Sequence, residues 1–159
     1  MDDNKSLREH LLYLLRGGDA HIHFSDLVAD FPEAIINGRV RGVPYTPWHV
    51  LEHMRLAQWD ILRFAVDKDH VSPKFPEGYW PHPDAVADWQ MWNSSIASFQ
   101  TDLRELEDLV ASEKTDLHAR FPHGDGQTFL RQALLVADHN AYHLGVLTLL
   151  KRILNEPNT

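Results

Sequence analysis

Apolar side chains recur along most of this chain at steps of three and four residues, which is the period of an amphipathic helix. The clearest series continues without a break through Trp89, Trp92, Ile96, Phe99, Leu103, Leu106 and Val110. Residues 47–67 carry the same pattern, and so do residues 126–154 through Leu135, His139, Tyr142, Val146, Leu149 and Ile153. Three long helices are therefore predicted, and we take these apolar series as their core-facing sides. No long stretch alternates apolar and polar residues as a strand would.

The amino-terminal part predicts a first helix that is broken. Leu7, Leu11 and Leu14 form a short apolar series that Gly17 and Gly18 end. Asp19 is a candidate cap for a second short helix, which would carry His21, Phe24, Val28 and Phe31. Residues 32–45 and the proline-dense residues 68–84 are predicted to be loops. We expect an all-α four-helix bundle with two long connections, forming a single domain over residues 1–159.

Three helix starts are predicted from capping residues. Thr46 is followed by Pro47, which combines a capping hydroxyl with a proline at the first helical position. Asp84 and Asp125 are the candidate caps of the two helices that follow.

Composition narrows the possible chemistry. The chain has 159 residues, a formal charge of −8 and no cysteine. An acidic chain without a basic cluster is a poor partner for nucleic acid. No apolar run is long enough to span a membrane, and no basic-then-apolar leader is present, so we expect a cytoplasmic protein without a membrane partner. Without thiolates, any metal must be held by nitrogen and oxygen ligands.

The 11 histidines include two pairs at a spacing of four residues: His49 with His53, and His139 with His143. This spacing places two imidazoles on one face of a helix, where both can reach one cation. On helical wheels His53, His139 and His143 point inward. His49 points further outward, so we predict that it lies beside the ligands or at the surface. A single core histidine is usually satisfied by a hydrogen bond, but three converging ones favour a metal. Four other histidines are predicted to be exposed to solvent: His10, His70, His82 and His118.

Two stretches of the chain resemble the DinB/YfiT-like superfamily of metalloenzymes, namely residues 46–53 and 126–145. The Gly17 to His21 hinge and the Glu77 to Pro81 loop extend this likeness. The resemblance implies an up-down-down-up bundle, often dimeric, with one metal ligand from the second helix and two from the last. Carried over, these ligands are His53, His139 and His143. Val146 departs from the family, which commonly has Gln at that position.

The resemblance leaves the reaction open, since relatives include thiol-dependent transferases, isomerases and hydrolases. Three neutral histidines would leave an open position on Zn, Ni or ferrous iron, where water or a low-molecular-weight thiol can be activated against a small-molecule substrate. The candidate supporting residues are Glu52 and Asp138, each next to a ligand in sequence, and Tyr142 and His21 as pocket residues. The alternative is a non-catalytic, dimeric bundle that binds a metal or a small molecule.

Overall fold

The computed structural model describes residues 3–156, and this range is helical apart from its connections. It contains α1 (Asp3–Leu15), α2 (Phe24–Ala29), α3 (Pro47–Val66), α4 (Trp89–Ala111) and α5 (Phe129–Asn155), with a short 3-10 turn at Glu33–Ile35. An isolated bridge between Arg120 and Thr128 is the only β pairing in this range. The predicted all-α class and the long connections are confirmed.

Contacts along the helices establish their directions. α3 and α4 run parallel, as shown by the pairs Gln58 with Phe99 and Arg63 with Glu105. α5 runs opposite to α3, as shown by the pairs His53 with His143 and Gln58 with Asn140. α1 runs opposite to α4: Arg8 on α1 contacts Val110, and Arg16, directly after α1, contacts the earlier residue Glu107. The bundle is therefore up-down-down-up, with α1 and α2 together forming its first column.

The break in the first column lies where the glycines predict it. Gly17 and Gly18 have φ angles of +102° and +53°, a backbone region that favours glycine. The prediction that Asp19 caps the next helix is wrong, because the residue at the N-cap position of that helix is His23. Asp19 lies in the linker, where its N–H donates to the Tyr13 hydroxyl at 3.0 Å. α2 begins only at Phe24.

Threonine caps begin α3 and α5. Thr46 accepts from the His49 N–H at 3.2 Å, as its sequence predicts. At α5 the predicted cap Asp125 is wrong, and Thr128 is the capping residue. Gly126 takes a φ of +102° between the two positions, so the chain turns there before the helix can begin.

The predicted cap of α4 is also displaced. Asp88 caps this helix, accepting from the Met91 N–H at 2.7 Å, whereas Asp84 lies in the preceding loop. The intervening backbone is held outside the helix, because the buried Ala87 donates its N–H to Asn37 at 2.9 Å.

The buried face of α5 differs from the predicted one. Its buried side chains are Gln132, Ala133, Val136, His143, Leu144, Leu147 and Leu150. Much of the predicted series is exposed instead, with exposed fractions of 42% at Leu135, 67% at Tyr142, 57% at Leu149 and 44% at Ile153. α5 is apolar around more than one face, so spacing alone did not identify which face meets the core.

None of the helices in the described range has a stretch both long and apolar enough to cross a membrane.

Candidate metal centre

Three histidine side chains from two helices meet at one point inside the bundle. The Nε2 atom of His53 on α3 lies 3.1 Å from Nε2 of His143 and 3.1 Å from Nε2 of His139, both on α5. The candidate ligand atoms of the three residues all lie within 4.8 Å of one another. The predicted convergence of these histidines is confirmed.

Helix geometry accounts for this convergence. His139 and His143 are one turn apart on α5, so their rings project from the same side. α3 packs alongside in the opposite direction and brings His53 to the same level. His53 and His143 are 6% and 9% exposed, so these rings are largely removed from water.

Hydrogen bonds among the three histidines cannot give every Nε2 atom a partner. Nδ1 of His53 lies 2.8 Å from the Tyr79 carbonyl oxygen, which can only accept, so Nδ1 carries the proton. A neutral His53 therefore offers one lone pair at Nε2, and two other Nε2 atoms approach it. With the protons of His139 and His143 also on Nδ1, a shared cation would bind all three Nε2 lone pairs at once. Nitrogens bound tetrahedrally at about 2.0–2.1 Å lie roughly 3.3–3.4 Å apart, close to the two 3.1 Å separations that involve His53.

Burial holds the cluster in the neutral form that binds metals. Loss of solvent around the rings, with repulsion from the neighbouring histidines, lowers the pKa of His139 to about 4 and that of His143 to about 3. Burial also lowers the pKa of His53, against the opposing effect of its hydrogen bond to Tyr79. At neutral pH all three imidazoles are therefore uncharged, which is the form that can bind a metal.

Aromatic rings surround the cluster. Trp80 stacks on His53 with 3.8 Å between ring centroids and 6° between planes, and Tyr45 stacks on the outer face of Trp80. Tyr142 meets the His143 ring edge-on at 4.8 Å. Between residues 3 and 156 no fourth histidine, cysteine, aspartate or glutamate joins the three ligands. The centre is thus a three-nitrogen site within an aromatic wall.

Of the predicted supporting residues, the structure brings only Tyr142 against one of the three histidines, His143. The Glu52 carboxylate faces Arg55, at 2.6 Å from Nη2, and accepts from the Ser95 hydroxyl at 2.7 Å. Asp138 and His21 line a cavity of about 610 Å³ beside the α1–α2 linker, and none of the three clustered histidines lines it. The roles predicted for Glu52 and His21 would therefore have to be exerted away from the three histidines. Asp138 acts on them through its charge, which opposes the lowering of the His139 pKa.

His49 is the third residue of α3 and forms a capping box with Thr46 inside the core. Its side chain is 2% exposed, so the prediction that it could lie at the surface is wrong. Its Nδ1 accepts from the Thr46 N–H at 3.4 Å, and its Nε2–H donates to the Ala85 carbonyl oxygen at 2.9 Å. Both ring nitrogens are occupied, and the residue ties the start of α3 to the loop before α4.

Sequence reasoning missed a group of residues that holds the long loop beside His53. Asp60 on α3 accepts from the Tyr79 hydroxyl at 2.6 Å and contacts Nε2 of His70 at 2.7 Å. The prediction that His70 is solvated is wrong, since its side chain is only 9% exposed. The available signal was the position of Asp60, seven residues after His53 and thus on the same side of the helix.

Comparison with known proteins agrees with this architecture. The sequence model of the DinB superfamily matches residues 22–147, and the chain belongs to this superfamily. No curated protein and no solved structure gives a significant match to the chain.

Proposed function

We propose that this chain is a metal-dependent enzyme that acts on a small molecule, with water or a low-molecular-weight thiol as the nucleophile. The observation that carries the proposal is the set of three neutral imidazoles without a fourth side-chain ligand in the described range. Structural metal sites are normally closed by four protein ligands, whereas catalytic sites keep a position for water or substrate.

The residues of the chain have distinct parts in this proposal. His53, His139 and His143 would hold a divalent ion such as zinc, nickel or ferrous iron through their Nε2 atoms. The ion supplies Lewis acidity, which favours the deprotonated nucleophile at neutral pH. Tyr79 keeps the proton of His53 on Nδ1. Trp80 covers one side of the centre and excludes water there.

A cobalt-substituted protein tests whether the open position exists. We expect a stoichiometric Co²⁺ complex whose visible spectrum changes when 2-mercaptoethanol or azide is added, because either molecule can reach the metal. His143→Ala should lose the spectrum, while His10→Ala, which changes an exposed histidine on α1, should keep it. A bound cobalt whose spectrum ignores both additives would contradict the proposal and favour the non-catalytic bundle.

Turnover assays then distinguish the two reaction types. The metal-loaded protein is compared with the metal-free protein on activated esters, and on an aryl halide in the presence of a thiol. A metal-dependent rate in the first assay supports the hydrolase, and in the second the thiol-dependent transferase. The His10→Ala variant should retain the rate that His143→Ala loses.

The exposed side of α5 supports the expected homodimer. Leu135, Tyr142, Leu149 and Ile153 form an apolar stripe along one side of this helix, and the middle of the stripe borders the His143 ring. We propose that a second copy of the chain packs on this stripe. Leu149→Glu should convert a dimer to a monomer in analytical ultracentrifugation, whereas Ile22→Glu, which changes an exposed residue outside α5, should not. A monomeric parent protein at micromolar concentration would refute this assignment.

A further inference from the structure

A buried carboxylate fastens the loop that runs beside the metal centre. Asp60 is 7% exposed, and it has two partners from the connection between α3 and α4: the Tyr79 hydroxyl at 2.6 Å and Nε2 of His70 at 2.7 Å. A buried carboxylate is costly unless its oxygens are hydrogen-bonded, so this arrangement ties the loop firmly to the helix.

The same loop residue orients a ligand through its backbone. The Tyr79 side chain reaches Asp60, while its carbonyl oxygen accepts from Nδ1 of His53 at 2.8 Å. The next residue, Trp80, lies flat on the His53 ring. One short segment therefore fixes both the tautomer and the plane of His53, and its attachment point is Asp60.

The positions of His53 and Asp60 explain how α3 can both present a ligand and anchor the loop. His53 and Asp60 are seven residues apart, so they share a side of the helix and are separated by about 10 Å along its axis. Asp60 is thus too far away to be a ligand itself. Burial and the Asp60 carboxylate raise the pKa of Tyr79 to about 12, so its hydroxyl stays protonated and remains the donor at neutral pH.

We propose that Asp60 is a positioning residue of the metal centre, acting through the Tyr79 hydroxyl to fix the carbonyl oxygen that orients His53. The inference rests on the proposed metal site. Residues that orient metal ligands typically change metal affinity about 10–100-fold when they are replaced. We expect an effect of that size when the link between Asp60 and Tyr79 is cut.

Tyr79→Phe is the sharpest test, because it removes one hydroxyl and keeps the ring and the backbone carbonyl. Zn²⁺ affinity is measured by competition with a chromogenic chelator at pH 7.5. The matched control is Tyr13→Phe, which removes a hydroxyl that accepts from the Asp19 N–H in the α1–α2 linker. We expect Tyr79→Phe to bind Zn²⁺ at least about tenfold more weakly than the parent. Tyr13→Phe should bind like the parent.

A second pair of variants separates positioning from simple loss of structure. Asp60→Asn can still accept the Tyr79 hydroxyl, and Asp60→Ala cannot. We expect higher Zn²⁺ affinity in Asp60→Asn than in Asp60→Ala, and a Co²⁺ spectrum in Tyr79→Phe that differs from the parent's. If Asp60→Ala does not fold, the Tyr79→Phe comparison still decides.

The contrary result is a folded Tyr79→Phe protein with unchanged Zn²⁺ affinity and an unchanged Co²⁺ spectrum, even if its melting temperature falls. That outcome would make the link between Asp60 and Tyr79 purely structural and overturn the inference. Failure of the underlying metal site would be visible earlier, because the parent protein itself would then bind no Zn²⁺.

Discussion

Acidification should lower the free energy of unfolding of the metal-free protein, because the buried histidines of the cluster resist protonation. The pKa values of His139 and His143 are lowered to about 4 and about 3, against 6.5 for an unperturbed histidine. Below pH 6.5 the unfolded chain therefore binds protons that the folded chain does not. The stability contributed by neutral burial is complete above pH 6.5 and is lost as the pH falls toward the folded-state values.

The size of the loss follows from the width of that window. Between pH 6.5 and pH 5 each histidine contributes about 1.5 pH units at about 1.4 kcal/mol per unit, or roughly 2 kcal/mol. Two such histidines reduce the free energy of unfolding by about 4 kcal/mol, out of the roughly 5–15 kcal/mol of an ordinary domain. The protein should therefore be markedly less stable at pH 5 than at pH 7.5.

Urea unfolding, followed by tryptophan fluorescence in the presence of a chelator, measures this effect at pH 7.5 and pH 5.0. His143→Gln removes one titrating group, so its free energy of unfolding should fall by about 2 kcal/mol less than the parent's over the same interval. His10→Gln leaves the triad intact and should follow the parent. If the free energy of unfolding falls equally in the parent and in His143→Gln, the buried His143 ring is not a source of the acid sensitivity.

Three further results are expected. Arg8→Met should lower the free energy of unfolding by about 2–3 kcal/mol in urea titrations, because the buried Arg8 guanidinium donates to three backbone carbonyls in the last turn of α4 and just beyond it. Arg104→Met, at an exposed site, should change little. Thr46→Ala should cost about 1 kcal/mol by removing the α3 cap, and Thr101→Ala, on the exposed side of α4, should not; equal effects would exclude the capping explanation. Zn²⁺ at about 100 times its dissociation constant should raise the free energy of unfolding of the parent by about 2.7 kcal/mol. The same Zn²⁺ concentration should change neither the free energy of unfolding nor the melting temperature of His53→Ala.

Most of the fold could be predicted from the periodicity and the capping residues. The series from Trp89 to Val110 identified α4, and Thr46 with Pro47 fixed the start of α3. Asp84 and Asp125 were wrong as caps, because tertiary hydrogen bonds and a glycine turn delay each helix by three or four residues. Contacts of this kind are invisible in local sequence.

The convergence of the three histidines could be predicted, but not the residues that surround them. His53, His139 and His143 lie on regular helices, where spacing determines which side chains share a face. Tyr79 and Trp80 come from an irregular proline-rich loop, whose path depends on long-range contacts with Asp60. Glu52 is adjacent to a ligand in sequence but projects elsewhere on α3, because neighbouring helical residues differ by about 100° in direction.

Metal content is the most direct test of the central claim. The protein is purified without an affinity tag or chelator, and its metals are determined by elemental analysis beside those of His53→Ala and His139→Ala. We expect near one equivalent of a divalent transition metal in the parent and almost none in either variant. A parent without metal, together with variants that fold as well as it does, would exclude the metal centre and make these histidines ordinary residues of the core.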